Sequence, residues 1–409
     1  MMEEIFEKIE DMRDEMKDSL MEMLKIPAIG PDNDGEGEKE RAKFLAQLID
    51  DFGFDSIKGY DAEDDRVPGG KRPNIVATKK GKSEKNLVIV THMDIVPEGD
   101  LDDWDTDPFD PVFKNGKIYG RGAEDNGQAI ISSIYAVKAI NEVGIVPEYN
   151  INIMIVSDEE TGSKYGVDHI LEEGLVDEDD MVIVPDHSED GGKKIEIVEK
   201  SGLWVKITVH GEQGHAAFPK QNINANRIMA RYQNLVDEEL HHQFEQEDLL
   251  FSPPRSTFEP TKRLSNVQNV NTIPGKETQF FDCRILPSVD LEKVKSTFKN
   301  AAEQIESETE GEIEIEFLKE SKAPERTPED SEVIENLKKA IEVVTDIEAG
   351  VAGIGGGTVA MSFRKRGIPT AVWCSNKGLA HQPNEYAVLD NIVKDCKVFA
   401  RFALEDGSD

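Results

Sequence analysis

The chain has 409 residues, 47 basic against 83 acidic, for a formal net charge of −36 and 38% hydrophobic content. So acidic a surface repels nucleic acid and anionic membranes, which excludes both as expected partners. The acidity is spread along the chain, as in the solvated coat that a high-salt cytoplasm favours, and the length calls for two domains, interrupted rather than sequential.

Three cysteines, Cys283, Cys374 and Cys396, are odd in number and widely spaced. They make neither a disulfide framework nor a zinc-finger array, and read as buried fillers. No stretch approaches the ~18 uninterrupted apolar residues of a membrane span. The opening MMEEIFEKIEDMRDEMKDSLMEML is an acidic amphipathic helix rather than a signal peptide, so the cytoplasm is the expected location.

In chain order, 1–25 reads as one helix and 40–54 as a second, closed by Gly53. Apolar strands follow at 74–80, 86–92, 150–157 and 180–186, with helical patterns at 127–144 and 165–174. Fully apolar strands alternating with helices are the mark of an α/β domain whose mainly parallel sheet is covered by helices. Near residue 199 the pattern changes. Residues 200–213 alternate polar and apolar, 225–244 and 291–308 are helical, 271–286 is strand-like, and 312–319 alternates strictly. That is a smaller α+β module with half-wet strands. The expected organisation is therefore a catalytic domain in two parts, 1–198 and 321–409, interrupted by an inserted domain at 199–320. A Pro-containing linker, 323–330, leads back. No internal repeat or low-complexity tract is present.

The candidate chemical residues sit where a buried strand ends or a Gly-rich turn begins, which is where open α/β sheets form sites. THMD places His92 and Asp94 two apart, on one face of an extended segment. YGRGAEDNG holds Asp125 among three glycines. VSDEETGS sets Asp158, Glu159 and Glu160 side by side after an apolar strand. VIVPDHS offers Asp186 and His187, and GLAHQPNE offers His381. Singly, each has a plainer reading as a strand-end hydrogen bond, a capping turn or a loop histidine. Together, two histidines and three or more carboxylates describe a two-metal centre, with one bridging carboxylate and one His plus one terminal carboxylate per metal. The histidines argue against Ca²⁺ or Mg²⁺, which prefer all-oxygen shells.

At this point the sequence resembles the M20 family of metallopeptidases and amidohydrolases. HMDIVPEGD, GRGAEDNG, SDEETGS, HGEQGHAAFP, NTIPG, GGGT and AHQPNE occur in the family's order over nearly the whole chain. The resemblance implies that His92 and Asp186 bind one metal, Glu160 and His381 the other, and Asp125 bridges. It implies that Asp94 supports His92, that Glu159 is the catalytic base, and that the peptide after Asp125 is cis. It further implies two divalent ions per chain, zinc foremost with cobalt or manganese tolerated, and an inserted lid domain that makes a homodimer. In dimeric relatives that insert supplies a histidine, here His215, to the partner's active site. Asn271, Arg284 and the Gly357–Thr358 turn are the implied substrate contacts. Arg284 suits a carboxylate-bearing substrate, with a surface ion pair as its plainer reading.

The implied activity is hydrolysis of an amide bond in an N-acyl amino acid or small carboxylate-bearing peptide, desuccinylase- or deacylase-like. Asp186 departs from the desuccinylase pattern, where Glu is usual, and matches the dipeptidase and aminoacylase branches. The alternatives are a dipeptidase or carboxypeptidase of the same family, or a degenerate homologue without catalysis.

Overall fold

The computed structural model describes residues 2–188 and 191–404, and it divides into two compact units. The larger comprises Met1–Ile197, Arg326–Ala352 and Thr358–Asp409, and the smaller Val198–Glu325 with Gly353–Gly357. The smaller unit takes in 198, 321–325 and Gly353–Gly357 beyond the expected 199–320. Hydrogen bonds explain the grouping of Gly353–Gly357, because the Ile354 carbonyl accepts from the Lys200 N–H and the Gly355 carbonyl from the Arg284 guanidinium.

An eight-stranded sheet runs through the larger unit. Its centre is four mutually parallel strands, in the order Asn150–Val156, Asn86–His92, Met181–Val184 and Thr370–Val372. On one side Ile75–Lys79 runs antiparallel to them and Ser56–Gly59 antiparallel to it in turn; on the other Lys194–Glu199 runs antiparallel, with Gly350–Ile354 beyond it at the edge. The central strands are apolar throughout because both faces are covered. Val88, Val90, Met154, Val156, Val182 and Val184 join Val167, Ile170, Ala360 and Phe363 of two short helices in one buried cluster. Leu87, Ile89, Ile151, Ile153, Ile155 and Ile183, of the opposite parity, are equally buried and face the other way. Against that side lies the helix Gln128–Val143, itself packed on Leu389–Ala403 and Met2–Asp11. The helix expected over 1–25 is broken at Met12 into Met2–Asp11 and Arg13–Leu24.

A four-stranded antiparallel sheet forms the smaller unit, ordered Thr257–Ser265, Lys276–Ile285, Ser201–His210, Glu312–Ser321. The helices Ala225–Gln243 and Leu291–Glu308 pack on it. Side-chain alternation follows the pleat: Leu203, Val205, Ile207 and Val209 are buried while Trp204 is exposed. Thr257–Ser265 carries no sequence signal of a strand. It is a polar edge with Pro260 at a register shift, which is how sheet edges avoid further pairing. All three cysteines are buried, and burial pushes the thiols of Cys374 and Cys396 well up.

Deep in the larger unit, Arg364 donates to the Glu196 carboxylate at 2.9 Å, to the Thr370 carbonyl at 2.9 Å and to Thr327 at 3.1 Å, and both charged side chains are 1% exposed. Removing one partner leaves a buried carboxylate behind. Arg364→Ala is expected to cost about 3–5 kcal/mol of stability, read as a fall in the denaturant midpoint. An unchanged midpoint contradicts the assignment.

Candidate metal centre

The parallel strands end at one edge of the sheet, and the segments that leave them carry the chemistry. His92 ends its strand beside Val156, the last residue of the neighbouring one. Glu159 and Glu160 follow in the turn Glu159–Thr161, and Asp186 lies just beyond Met181–Val184. Asp125 comes from the tight turn that starts the helix Gln128–Val143, with a cis peptide joining it to Asn126. Gly122 opens that turn at φ 81°, and a Cβ there would stand 2.6 Å from Ile95, so only glycine fits.

Asp125 presents Oδ1 to Nε2 of His92 at 3.0 Å and Oδ2 to Nε2 of His381 at 3.3 Å. Asp186 lies 3.4 Å from the same His92 nitrogen, and Glu160 lies 2.9 Å from that of His381. One donor atom each from His92, Asp125 and Glu160 fall within 4.8 Å of one another. The five side chains are thus two imidazole–carboxylate pairs sharing one carboxylate. Mixed nitrogen and oxygen donors at this spacing suit a pair of borderline divalent cations such as zinc, cobalt or manganese.

The electrostatics are those of a site that demands positive charge. Burial opposes charge on His92, but hydrogen bonds to Asp125, Asp186 and Asp94 outweigh it and hold its pKa well above the ordinary value. Hydrogen bonds to Asp125 and Glu160 raise His381 to about 10. Burial acts to raise Asp125 too, yet its bonds to His381 and His92 bring it below the usual carboxylate range. Glu159 has no such partner: burial, then the charge of Asp186, lifts it well above a normal glutamate.

Asp94 does more than accompany His92. Its carbonyl, rather than its carboxylate, is nearest to Nδ1 of that ring, at 3.1 Å against 3.6 Å. The two carboxylate oxygens instead accept the backbone N–H groups of Glu159 and Glu160, at 3.1 and 3.0 Å. Asp158 is buried at 2% exposure. Its carboxylate caps the turn, accepting from Thr161 and the Tyr165 N–H, and stands 3.5 Å from the buried Arg72.

Three supporting residues have no assigned role in the sequence reading. The Asn126 side chain accepts from the His92 N–H and donates to Asp186 at 3.1 Å, holding strand ends together. The buried Glu385 carboxylate accepts N–H groups from Gly122, Glu124 and Asp125. Burial pushes Glu385 up to about 7, with the charge of Asp125 adding to it. Glu124 accepts N–H groups from Lys377 and Leu379, on the loop before His381. The two glutamates act on backbone N–H groups that lack helical or sheet partners, which leaves no side-chain pattern in the sequence to single them out.

The other expected residues belong to the smaller unit or its border. His215 and Asn271 are exposed and neighbouring: Gly214–His215 pairs with Thr272–Ile273, and the Ala216 N–H donates to the Asn271 carbonyl. The Arg284 guanidinium fork grips the Asp282 carboxylate at 2.7 and 3.0 Å and so is already engaged. Gly357 is exposed, and the Thr358 hydroxyl accepts from the Ala360 N–H.

A family model for peptidase family M20/M25/M40 matches residues 88–405. An uncharacterized metallohydrolase of Methanocaldococcus jannaschii is 39% identical over 396 residues, covering 92% of this chain and 96% of that protein. The succinyl-diaminopimelate desuccinylase of Nautilia profundicola is 27% identical over 387 residues, 93% and 97% of the two chains. The crystal structure of human carnosine dipeptidase 1 matches with a TM-score of 0.76 at 18% identity, over 98% of each chain, a likeness of fold.

A metal-binding imidazole must be neutral, so a cation has to displace the protons that the carboxylates hold on His92 and His381. With His381 raised to about 10 and His92 raised by its carboxylate partners, binding at neutral pH therefore releases protons and affinity rises with pH. Zn²⁺ titration calorimetry in buffers of differing ionisation enthalpy is expected to show about one to two protons released per chain at pH 7. No release, with affinity flat from about pH 6 to 8, contradicts it.

Proposed function

The chain belongs to peptidase family M20/M25/M40, hydrolases acting on carbon–nitrogen bonds, and from that premise we propose that it cleaves an amide bond of an N-acyl amino acid or small carboxylate-bearing peptide in a deacylase-like reaction. The observation carrying this reading is the Asp125 carboxylate shared between two imidazole–carboxylate pairs, with Glu159 beside them.

In this reading His92 and Asp186 would hold one divalent cation, His381 and Glu160 a second, and Asp125 would contribute to both, with zinc the expected metal. Bound cations of this kind lower the pKa of water toward neutrality and polarise a carbonyl. The chain's own contribution is proton handling and alignment. Glu159 takes the proton of the attacking water on its carboxylate and delivers it to the departing amine. Asp94 accepts the N–H groups of both Glu159 and Glu160, so one carboxylate aligns the base and a ligand together. His215 is assigned as the donor to the tetrahedral oxyanion, and Asn271, Arg284 and the Gly357–Thr358 turn as substrate contacts. A substrate carboxylate reaching Arg284 competes with Asp282 for the guanidinium.

The smaller unit is assigned as a dimerisation domain that brings His215 to the partner's site, and a fully active monomer overturns that part. Cytoplasmic location and a high-salt host fit the acidic composition. Succinyl-diaminopimelate desuccinylases among the relatives support the deacylase reading. Asp186 favours a second one, dipeptidase action, and the fold likeness to carnosine dipeptidase 1 accords with it.

A panel of N-acetyl-amino acids, N-succinyl-amino acids and dipeptides separates the two. Glu159→Ala is expected to keep its metal content while kcat on the preferred substrate falls by about 10²–10⁴-fold. A variant as fast as wild type contradicts the assigned mechanism.

A further inference from the structure

Two buried glutamates lie behind the Asp125–His381 half of the centre, one on each loop that supplies a side chain to it. Glu385 is four residues beyond His381 and is 0% exposed. Its carboxylate reaches the other loop, accepting the N–H of Gly122 at 2.9 Å, of Glu124 at 2.8 Å and of Asp125 at 3.0 Å. Glu124, immediately before Asp125 and 6% exposed, reaches back. It accepts the N–H of Lys377 at 2.6 Å and of Leu379 at 2.5 Å. Each loop thus satisfies the other's backbone donors through its own buried carboxylate. Arg121 bridges the same loops, pairing with Glu385 at 2.7 Å and donating to the His381 carbonyl at 3.4 Å.

We propose that Glu124 and Glu385 are reciprocal positioning residues, a clasp that makes the Asp125 turn and the His381 loop one unit and so sets the affinity of the cation held between them. Neither glutamate's recorded bonds involve the imidazole of His381 or the Asp125 carboxylate, so both act through the backbone. The segments they hold are ones that do not hold themselves. The bonds of Glu385 fall on a turn that Gly122 opens at positive φ, and His381 and Asn384 are non-glycine residues at φ 64° and 59°. Five backbone N–H groups that no helix or strand serves find their acceptor in a side chain from the opposite loop. Because each carboxylate needs the other loop in place to find its donors, removing either one loosens both segments.

That mutual dependence has a signature which independent supports lack. It rests on the metal-centre reading above, and the test separates the two. Zn²⁺ affinity is measured by competition with a chromophoric chelator for wild type, Glu124→Ala, Glu385→Ala and the double variant, with circular dichroism confirming the fold. Each single change is expected to weaken the second equivalent of Zn²⁺ by about 10–100-fold. The double variant should be little worse than the weaker-binding single one, because a clasp opened at either end is open. Backbone amide exchange at 122–125 and 377–379 should rise together in either single variant. Wild-type affinity in the singles, or losses that multiply in the double, overturns the clasp. Where an alanine variant fails to fold, Glu124→Gln and Glu385→Gln carry the same comparison, since the amide oxygen still accepts and should restore part of the affinity. A wild-type chain that binds fewer than two equivalents contradicts the metal-centre reading instead.

Discussion

The Asp125 carboxylate divides its two oxygens between His92 and His381, and keeping it there constrains everything around it. One carboxylate serves both imidazoles here because each ring reaches a different oxygen, at 3.0 and 3.3 Å. His92 is fixed by ending a strand in the middle of the parallel sheet, whose register with Asn150–Val156 leaves it no freedom to slide. His381 comes from a loop with no such ladder, and its position depends on side chains that capture backbone donors. The rigid half of the centre is thus built from sheet, and the other half from buried carboxylates gripping turns.

Like charges so close together would repel, and the fold meets this by giving each a distinct environment. The trio Asp158, Glu159 and Glu160 illustrates the point. Asp158 turns inward, capping its own turn and facing Arg72. Glu160 faces the His381 ring, which supplies positive charge. Glu159 is half-buried, and desolvation with the charge of Asp186 outweighs the charge of His92 and lifts it well above a normal glutamate. Adjacent positions in the sequence therefore have different chemistry because the strand end turns each side chain into a different environment.

Much of this was legible in the sequence, for identifiable reasons. The central strands announce themselves because burial on both faces demands unbroken apolar runs, and a change from such runs to alternation near residue 199 marks the inserted module. Residues whose side chains meet in the centre stand out because His and acids at strand ends are chemically odd. What stayed hidden acts through the backbone or lacks a pattern. Glu124 and Glu385 hold N–H groups, which every residue possesses, so nothing in their sequence context separates them from ordinary loop acids. The Thr257–Ser265 strand is polar because it is an edge, and the break at Met12 leaves the apolar period of the surrounding helices almost undisturbed. Arg284 shows the limit from the other side: a guanidinium suited to a ligand carboxylate can be engaged by a neighbour two residues away.

The central claim is that one side chain holds two cations, and it is tested most directly by counting metal on a chain that lacks it. Wild type and Asp125→Ala, each saturated with Zn²⁺ and freed of excess by gel filtration, are assayed by elemental analysis. The account predicts two equivalents per chain for wild type and a loss from both positions in the variant, well below one equivalent retained, with the fold intact by circular dichroism. An Asp125→Ala chain that still carries two equivalents contradicts it.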